Sequence, residues 1–214
     1  MRIAAVADLH GHLPVVPACD LLLVAGDVRP RDAQDADAEE AWLTGPFRAW
    51  LDDVPATETV GIAGNHDFLF ERAPERVPTD LRWTYLQDRA CDAGGLTIWG
   101  SPWTPWFYDW AFNAPRISGE RFLDERYSPV PAGVDVLLLH GPPAGYGDTT
   151  IAGARVGSTA ALDLVDRVSP RFCVFGHIHE GRGVWQRSGT KLVNCAAVDV
   201  AYKPVPDPVV VLDL

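Results

Sequence analysis

Short apolar runs recur along the chain, and the residues that follow them are of a few polar types. The runs are rich in valine, leucine and isoleucine and end at glycine, aspartate or histidine, which indicates strands buried on both faces. In open α/β sheets, functional residues collect at the carboxyl ends of such strands, so the pattern predicts a site at a shared sheet edge. The runs cover residues 2–7, 20–26, 59–64, 135–140 and 171–176.

Amphipathic segments lie between these runs and predict helices. Residues 35–52 have a helical pattern with a break at Gly45-Pro46, and residues 117–127 and 158–168 have clearer ones. Ser158 is a predicted N-cap, because its hydroxyl can accept a hydrogen bond from an N–H group of the first turn.

Turn signals complete the pattern. Gly94-Gly95 predicts a hairpin, and residues 183–213 predict further strands with turns at Ser188-Gly189 and 204–208. The sequence contains no repeat and no linker, so we predict a single α/β domain over residues 1–214.

Composition narrows the class of function. The net charge of −11, with no run rich in lysine or arginine, makes a long nucleic acid an unfavourable partner. A small phosphate ester held by metal ions stays compatible, since the ions dominate the local charge. We expect a cytoplasmic protein without a membrane span, because no apolar run is long enough and the N-terminus lacks a signal-peptide pattern. The four dispersed cysteines predict buried apolar side chains rather than disulfides, and the oligomeric state stays open.

All six histidines lie within a few residues of the ends of the apolar runs. A single one is more simply explained as a core or surface residue, but together with nearby aspartate and asparagine they form a metal-ligand inventory. Residues i and i+2 of an extended segment face the same way, so Asp8 and His10 can hold one ion, and His177 and His179 can point into the same site. The histidines are His10, His12, His66, His140, His177 and His179.

The donor types indicate which metals would bind. Imidazole, carboxylate and amide donors without sulfur favour manganese, with iron, cobalt or zinc as alternatives, and argue against calcium or copper–thiolate sites. The donors are too numerous for one tetrahedral zinc ion. Two divalent ions that share a carboxylate, about 3.5–4 Å apart, fit the inventory better.

Five motifs together resemble the calcineurin-like metallophosphoesterase family. They are DLH at 8–10, GD at 26–27, GNHD at 64–67, HGPP at 140–143 and GHIH at 176–179. Further stretches, such as residues 100–113 and 137–148, resemble the branch of metallophosphoesterase-domain-containing brain proteins and their bacterial relatives. The resemblance implies a four-layer αββα sandwich of two mixed sheets flanked by helices, with a dinuclear metal site.

The resemblance also implies residue roles. His66 would be the proton donor beside the site, oriented by Asp67, and both Asn65 and His66 would contact substrate. His12 matches no ligand of the family, so it is either a supporting or surface residue or a substrate contact. For the metals, the resemblance implies Asp8, His10 and His179 at the first ion, Asn65, His140 and His177 at the second, and Asp27 as the bridge.

The expected activity is hydrolysis of a small phosphodiester, with a cyclic or other nucleotide favoured as substrate. A hydroxide bridging the two ions would attack phosphorus, and His66 would protonate the leaving group. The alternatives are a phosphomonoesterase, a nuclease, and a metal-bound interaction protein with little turnover.

Two segments are candidates for substrate contacts. Trp103, Trp106 and Trp110 recur at helical spacing within residues 102–112, and they predict either a packed helical face or a stacking platform. The glycine-rich segment 145–158 predicts a flexible loop, with Arg155 as its candidate phosphate contact. We therefore predict Trp103, Trp106 and Arg155 as substrate contacts.

Overall fold

Two β-sheets form the centre of the molecule, and the structure, a computed structural model, describes residues 1–33 and 35–214. The strands are β1 (Arg2–Val6), β2 (Cys19–Ala25), β3 (Ala56–Ile62), β4 (Thr84–Tyr85), β5 (Arg89–Ala93), β6 (Leu96–Ser101), β7 (Val136–Leu139), β8 (Phe172–Phe175), β9 (Gly183–Arg187), β10 (Thr190–Asn194) and β11 (Val210–Asp213).

Both sheets are mixed. The five-stranded sheet has the order β11-β1-β2-β3-β4, in which β1 to β4 are parallel and β11 is antiparallel to β1. The six-stranded sheet has the order β5-β6-β7-β8-β10-β9, with antiparallel edge strands β5 and β9 around a parallel centre. All five predicted apolar runs form strands. The β5–β6 hairpin turns at Gly94-Gly95, as predicted, with both glycines at positive φ.

The two sheets pack face to face, and helices cover their outer faces. Side chains alternate along each strand, so Ile3 and Ala5 of β1 enter the layer between the sheets while Ala4 and Val6 face outward. The helices are α1 (Ala36–Trp42), α2 (Arg48–Asp53), α3 (Phe68–Arg72), α4 (Gly119–Tyr127) and α5 (Thr159–Val168). The first three lie on the five-stranded sheet and the last two on the six-stranded sheet, which confirms the αββα sandwich.

Two segments differ from what their sequences predict. The break at Gly45-Pro46 is a π-helical turn, Leu43–Phe47, that joins α1 to α2 without a loop. A wider turn accommodates Pro46, which lacks an N–H group to donate. Residues 102–112 form a loop, so the helical alternative for the tryptophan spacing is wrong. The predicted cap at Ser158 is confirmed, since its hydroxyl accepts from Ala161 N at 3.1 Å.

The described residues include no helix that is long and apolar enough to cross a membrane. Of the four free cysteines, Cys19, Cys173 and Cys195 are buried and Cys91 is half-buried.

Candidate metal centre

The predicted ligands gather where strands of both sheets end. In the parallel part of each sheet the carboxyl ends lie at the same edge, and face-to-face packing brings the two edges together. The ligands follow β1 (Asp8, His10), β2 (Asp27), β3 (Asn65), β7 (His140) and β8 (His177, His179).

Left-handed backbone conformations aim several of these side chains into the site. Asp8, His10, Asp27 and His177 have φ values of +54°, +44°, +57° and +68°. Such values are uncommon for residues other than glycine and cost about 1–3 kcal/mol each. The extended geometry predicted for Asp8 and His10 is therefore wrong. The two side chains share a direction because the chain turns sharply, held by hydrogen bonds of Asp8 N to Gly26 O and of His10 N to Asp27 O, both 2.9 Å.

The first cluster of donors contains Asp8, His10 and His179. His179 Nε2 lies 3.7 Å from Asp8 Oδ1 and 3.3 Å from His10 Nε2. His179 Nδ1 lies 3.0 Å from Asp199 O. Since a carbonyl oxygen only accepts, Nδ1 carries a proton, and Nε2 is the nitrogen that faces the cluster and can bind an ion. Donor atoms of these three residues all lie within 4.8 Å of one another.

The second cluster contains Asn65, His140 and His177. Asn65 Oδ1 lies 2.8 Å from His140 Nε2 and 2.7 Å from His177 Nδ1. His140 Nδ1 bonds Ala25 O at 2.9 Å, so its Nε2 also faces the site. Ligand atoms about 2.1 Å from an octahedral ion lie about 3 Å apart, which this spacing matches.

Asp27 lies between the two clusters. Its Oδ2 is 3.5 Å from His10 Nε2, and its Oδ1 is 3.5 Å from His140 Nε2. One carboxylate thus presents a different oxygen to each cluster, which is the position of a bridging ligand.

The electrostatics of the site favour positive charge. Burial alone would raise the pKa of Asp8 and Asp27, but the neighbouring histidines hold the pKa of both carboxyls below the usual value. Burial alone would lower the pKa of His140 and His179, but Asp27 and Asp8 outweigh it and raise each pKa to about 9. Two buried carboxylates therefore attract cations, either protons on these rings or metal ions. The donor set and its charge fit a pair of divalent ions.

Two glycines that sequence reasoning missed leave room for the bridging and first-cluster carboxylates. A Cβ atom on Gly64 would lie 2.2 Å from Asp27 Oδ1, and one on Gly176 would lie 2.2 Å from Asp8 Oδ2. Both distances are shorter than van der Waals contact, so any larger residue would displace a carboxylate. The signal was present in the motifs, since a glycine begins both GNHD and GHIH.

His66 lies beside the donors and lines the cavity above them. Its ring packs against Trp110 with centroids 4.1 Å apart and meets the His10 ring edge-on at 4.8 Å. Its backbone N–H donates to Asp27 Oδ1 at 2.8 Å, and the Arg29 Nε–H donates to its carbonyl. Burial lowers the pKa of His66, with Asp27 acting in the opposite direction.

Asp67 does not orient His66 in the way predicted. Its carboxylate accepts hydrogen bonds from the backbone N–H groups of Val28, Arg29 and Gly64, at 2.7–3.2 Å, and the described contacts include none with the His66 ring. The Asp67 side chain is directed toward the backbone of Gly64, in its own loop, and of Val28 and Arg29, and therefore away from the His66 ring. It joins the loop that carries Asp27 to the one that carries Asn65 and His66, so it acts on the site through the backbone.

A cavity of about 320 Å³ opens above the donors. Asn65, His66, His177 and His179 contribute to its floor, and apolar side chains from three separate loops form most of its wall. The wall residues are Pro105, Trp106, Phe107, Trp110, Thr150, Ile151, Val156, Val200 and Tyr202, with Ile178 and Glu180 beside the histidines.

Two of the predicted substrate contacts lie outside this cavity. Trp103 packs against Phe112 and Phe122, and its indole N–H donates to Asp88 at 2.9 Å. The exposed Arg155 lies 3.5 Å from Asp148 Oδ1 and is not among the lining residues. Trp106 does line the cavity, so the segment 102–112 contains both a packing tryptophan and a cavity tryptophan.

Tyr202 is a cavity residue that sequence reasoning did not single out. Its ring meets those of His10 and His179 edge-on, at 4.8 and 5.2 Å, and the Arg31 guanidinium lies 4.3 Å from its centroid. His12 Nε2 lies 3.1 Å from Tyr202 O. His12 therefore contacts the backbone of Tyr202, 190 residues away in sequence, and is a supporting residue of the site.

Comparison with known families adds an independent observation. Residues 1–181 match the family described as Calcineurin-like phosphoesterase. Metallophosphoesterase domain-containing protein 1 of Homo sapiens is 34% identical over 98% of this chain and 70% of its own length. UPF0046 protein T07D4.2 of Caenorhabditis elegans is 43% identical over 96% of this chain and 59% of its own length.

Solved structures agree with the fold. TT1561 of Thermus thermophilus superposes with a TM-score of 0.56 over 91% of this chain and 88% of that one, at 15% identity. At that identity the similarity concerns the fold alone.

Proposed function

The chain belongs to the calcineurin-like phosphoesterase family, and on that premise we propose that it is a dinuclear phosphodiesterase acting on small diesters, with nucleotides as favoured substrates, cyclic ones included. Metal-dependent hydrolysis of phosphoesters is the chemistry of the family.

We infer the preference for diesters from the charges of the residues that line the cavity. Among the described residues, those that line it include no lysine or arginine, and they include the acids Asp27 and Glu180. Two divalent ions with Asp8 and Asp27 sum to about two positive charges, which a hydroxide and a singly charged diester balance. A dianionic monoester would leave an excess negative charge beside Glu180 with no cation in the described lining to meet it.

Each side chain has a role in this proposal. Asp8, His10 and His179 would hold one ion, Asn65, His140 and His177 would hold the other, and Asp27 would be shared between them. Divalent ions bound there would supply Lewis acidity, which lowers the pKa of water and neutralises phosphoryl oxygens. Manganese suits the mixed nitrogen and oxygen donors, as do iron, cobalt and zinc.

His66 would donate a ring proton to the leaving oxygen from its protonated form, which the negative charge of a bound phosphoryl group would favour against the burial that lowers its pKa. It lines the cavity, and its ring nitrogen lies within 4.8 Å of donor atoms of Asp27 and His10, so the ring would be close to a phosphoryl group bound at the floor. Trp110 packs on the ring and Arg29 holds the backbone carbonyl, so the ring has little freedom to turn away. Proton donation to an alkoxide is worth about 10²–10⁴-fold in rate.

Trp106 supports the nucleotide part of the proposal. It is 43% exposed and lines the cavity, so one of its surfaces is available to a flat ring. A base stacked on an aromatic side chain gains about 1–3 kcal/mol.

A panel of esters tests the proposal directly. The purified protein would be assayed with bis(p-nitrophenyl) phosphate, p-nitrophenyl phosphate and cyclic and linear nucleotides, with manganese, with magnesium and with a chelator. We expect two ions per chain, loss of activity on chelation, recovery with manganese but poor recovery with magnesium, and a diester preference of at least about tenfold. A preference for monoesters would contradict the charge argument. Background rates for every ester with two ions bound would favour the interaction-protein alternative.

A further inference from the structure

Exposed apolar side chains converge on the mouth of the cavity. Trp106, Phe107, Ile151 and Val200 are 43%, 53%, 82% and 47% exposed, and all of them line it. They come from three loops that are far apart in sequence. Exposed apolar surface of this kind marks a binding surface in a folded protein.

The apolar wall has an aromatic part and an aliphatic part. The aromatic side chains come from residues 105–110, and Tyr202 adds a further ring. The aliphatic ones, Ile151, Val156 and Val200, come from two other loops. A nucleobase uses flat aromatic surface and hydrogen-bonding groups, so it leaves the branched aliphatic side chains without a function.

The aliphatic part is built against the metal-ligand loop. The Glu180 carboxylate accepts the backbone N–H of Ile151, next to the ligand His179. Gly147 and Gly181 are also in close contact, since a Cβ atom on Gly181 would lie 2.0 Å from Gly147 O. The loop that carries Ile151 therefore has fixed contacts with the segment that carries His179.

We propose, on the basis of the function proposed above, that the aliphatic part of the wall binds an apolar second ester group of an acyclic phosphodiester. The group bound by the aliphatic wall is part of the substrate, because Asn65, His177 and His179 form the floor of the same cavity. A phosphoryl group held there extends its ester groups along the wall. A macromolecule on the same surface would close the cavity instead.

The reaction on such a diester is an ordinary hydrolysis. Water adds to phosphorus and releases a proton to solvent, the bond from phosphorus to one ester oxygen breaks, and that oxygen takes the proton that His66 donates; His66 then regains a proton from solvent. The products are one alcohol and one phosphomonoester. The apolar group stays on the phosphate when the other ester group is the better leaving group.

A series of p-nitrophenyl alkyl phosphates tests this inference, because the leaving group stays constant while the alkyl group grows. Methyl, butyl and hexyl esters would be compared below their micelle concentrations in the presence of manganese. Each methylene that enters the wall should raise kcat/KM by about fourfold, so the butyl ester should exceed the methyl ester by at least about tenfold. Rates of alkaline hydrolysis without enzyme correct for intrinsic reactivity.

Two matched variants locate the effect. In Ile151→Asn, the hexyl-to-methyl ratio of kcat/KM should fall toward one. Ile117→Asn is the control, because Ile117 is 86% exposed, close to the 82% of Ile151, but does not line the cavity. The control should keep the full ratio. Melting temperatures should be unchanged in both, since neither side chain is buried.

The outcomes separate this inference from the proposed function. Turnover of all esters at equal kcat/KM, or a ratio that survives in Ile151→Asn, would overturn the aliphatic subsite and leave the phosphodiesterase intact. Turnover confined to cyclic nucleotides would also overturn it. Absence of turnover of every ester by metal-loaded protein would overturn the proposed function itself.

Discussion

The floor and the wall of the cavity are built in opposite ways. The floor consists of side chains at strand ends, where Asn65, His66 and Asp27 are buried at 4%, 8% and 1% exposure and His177 and His179 are half-buried. The wall consists of loop side chains, of which Ile151 is 82% exposed. Ion binding requires donor atoms placed within tenths of an ångström, whereas a wall for an organic group requires only shape and apolar surface.

The difference shows which part of the molecule can change. Any shift in the floor displaces a donor atom. At Gly64 and Gly176 there is no space even for an added methyl group beside the carboxylates. Loop side chains at the wall can be exchanged without disturbing the sheets. We therefore expect substitutions in the floor to remove metal and all activity, and substitutions in the wall to change the choice of substrate.

The largest effect is expected for Asp27→Asn. An amide replaces the carboxylate that faces both clusters, so metal binding should be lost and every ester activity should fall to background. Elemental analysis and rates on diester and monoester substrates measure this. Asp88→Asn is the control, because Asp88 also has positive φ but bonds Ser101, Trp103 and Arg126 instead of the donors. Two ions retained in Asp27→Asn would show that Asp27 is not the bridge.

His66→Gln should have the next largest effect while leaving metal content unchanged. The variant loses proton donation, so hydrolysis of nucleotide esters should slow by about 10²–10⁴-fold. p-Nitrophenyl esters should be affected mildly, because p-nitrophenolate is stable as an anion. The His66 ring nitrogen lies within 4.8 Å of donor atoms of His10 and Asp27, so loss of a metal ion would instead identify His66 as a ligand.

Gly176→Ala tests how tightly the floor is packed. The added methyl group would meet Asp8 Oδ2 at 2.2 Å and Ala7 Cβ at 2.5 Å, so the first-cluster carboxylate has to move. We expect metal affinity to fall by about 10–100-fold, measured by competition with a chromogenic chelator. Gly45→Ala is the matched control, since a Cβ atom there has no described atom within 4 Å. Unchanged affinity in Gly176→Ala would mean that the floor relaxes more freely than we infer.

The smallest effect on catalysis is expected for the tryptophans, which distinguish packing from binding. Trp103→Ala should destabilise the fold by about 3–5 kcal/mol and affect all substrates alike. Trp106→Ala should leave stability within about 1 kcal/mol and raise KM for nucleotide diesters about tenfold relative to non-aromatic esters. Thermal melts and kinetics on both variants would be compared. If both variants changed stability and KM in the same way, the assignment of Trp103 to packing and Trp106 to binding would be wrong.

The local pattern of the sequence predicted the strands and the candidate donors at their ends, and the resemblance carried by the five motifs implied the two mixed sheets and the role of each donor. Apolar runs of strand length end in aspartate, asparagine or histidine. The strand and the candidate donor after it are therefore adjacent in sequence and can be identified together. The glycine turns, the Ser158 cap and the resemblance carried by five short motifs are local in the same sense. This is why the two mixed sheets and the family could be predicted before any coordinates.

Tertiary structure alone decided the geometry that joins these segments. Trp103 and Trp106 are three residues apart and equally aromatic, yet one packs against Phe112 and the other lines the cavity. His12 supports Tyr202, and Asp67 bonds backbone groups of another loop rather than its neighbour His66. The wall combines residues near 105, 151 and 200, and no local pattern relates them. Such contacts depend on which loops meet when two sheets pack, and a side chain's sequence neighbours do not determine that meeting.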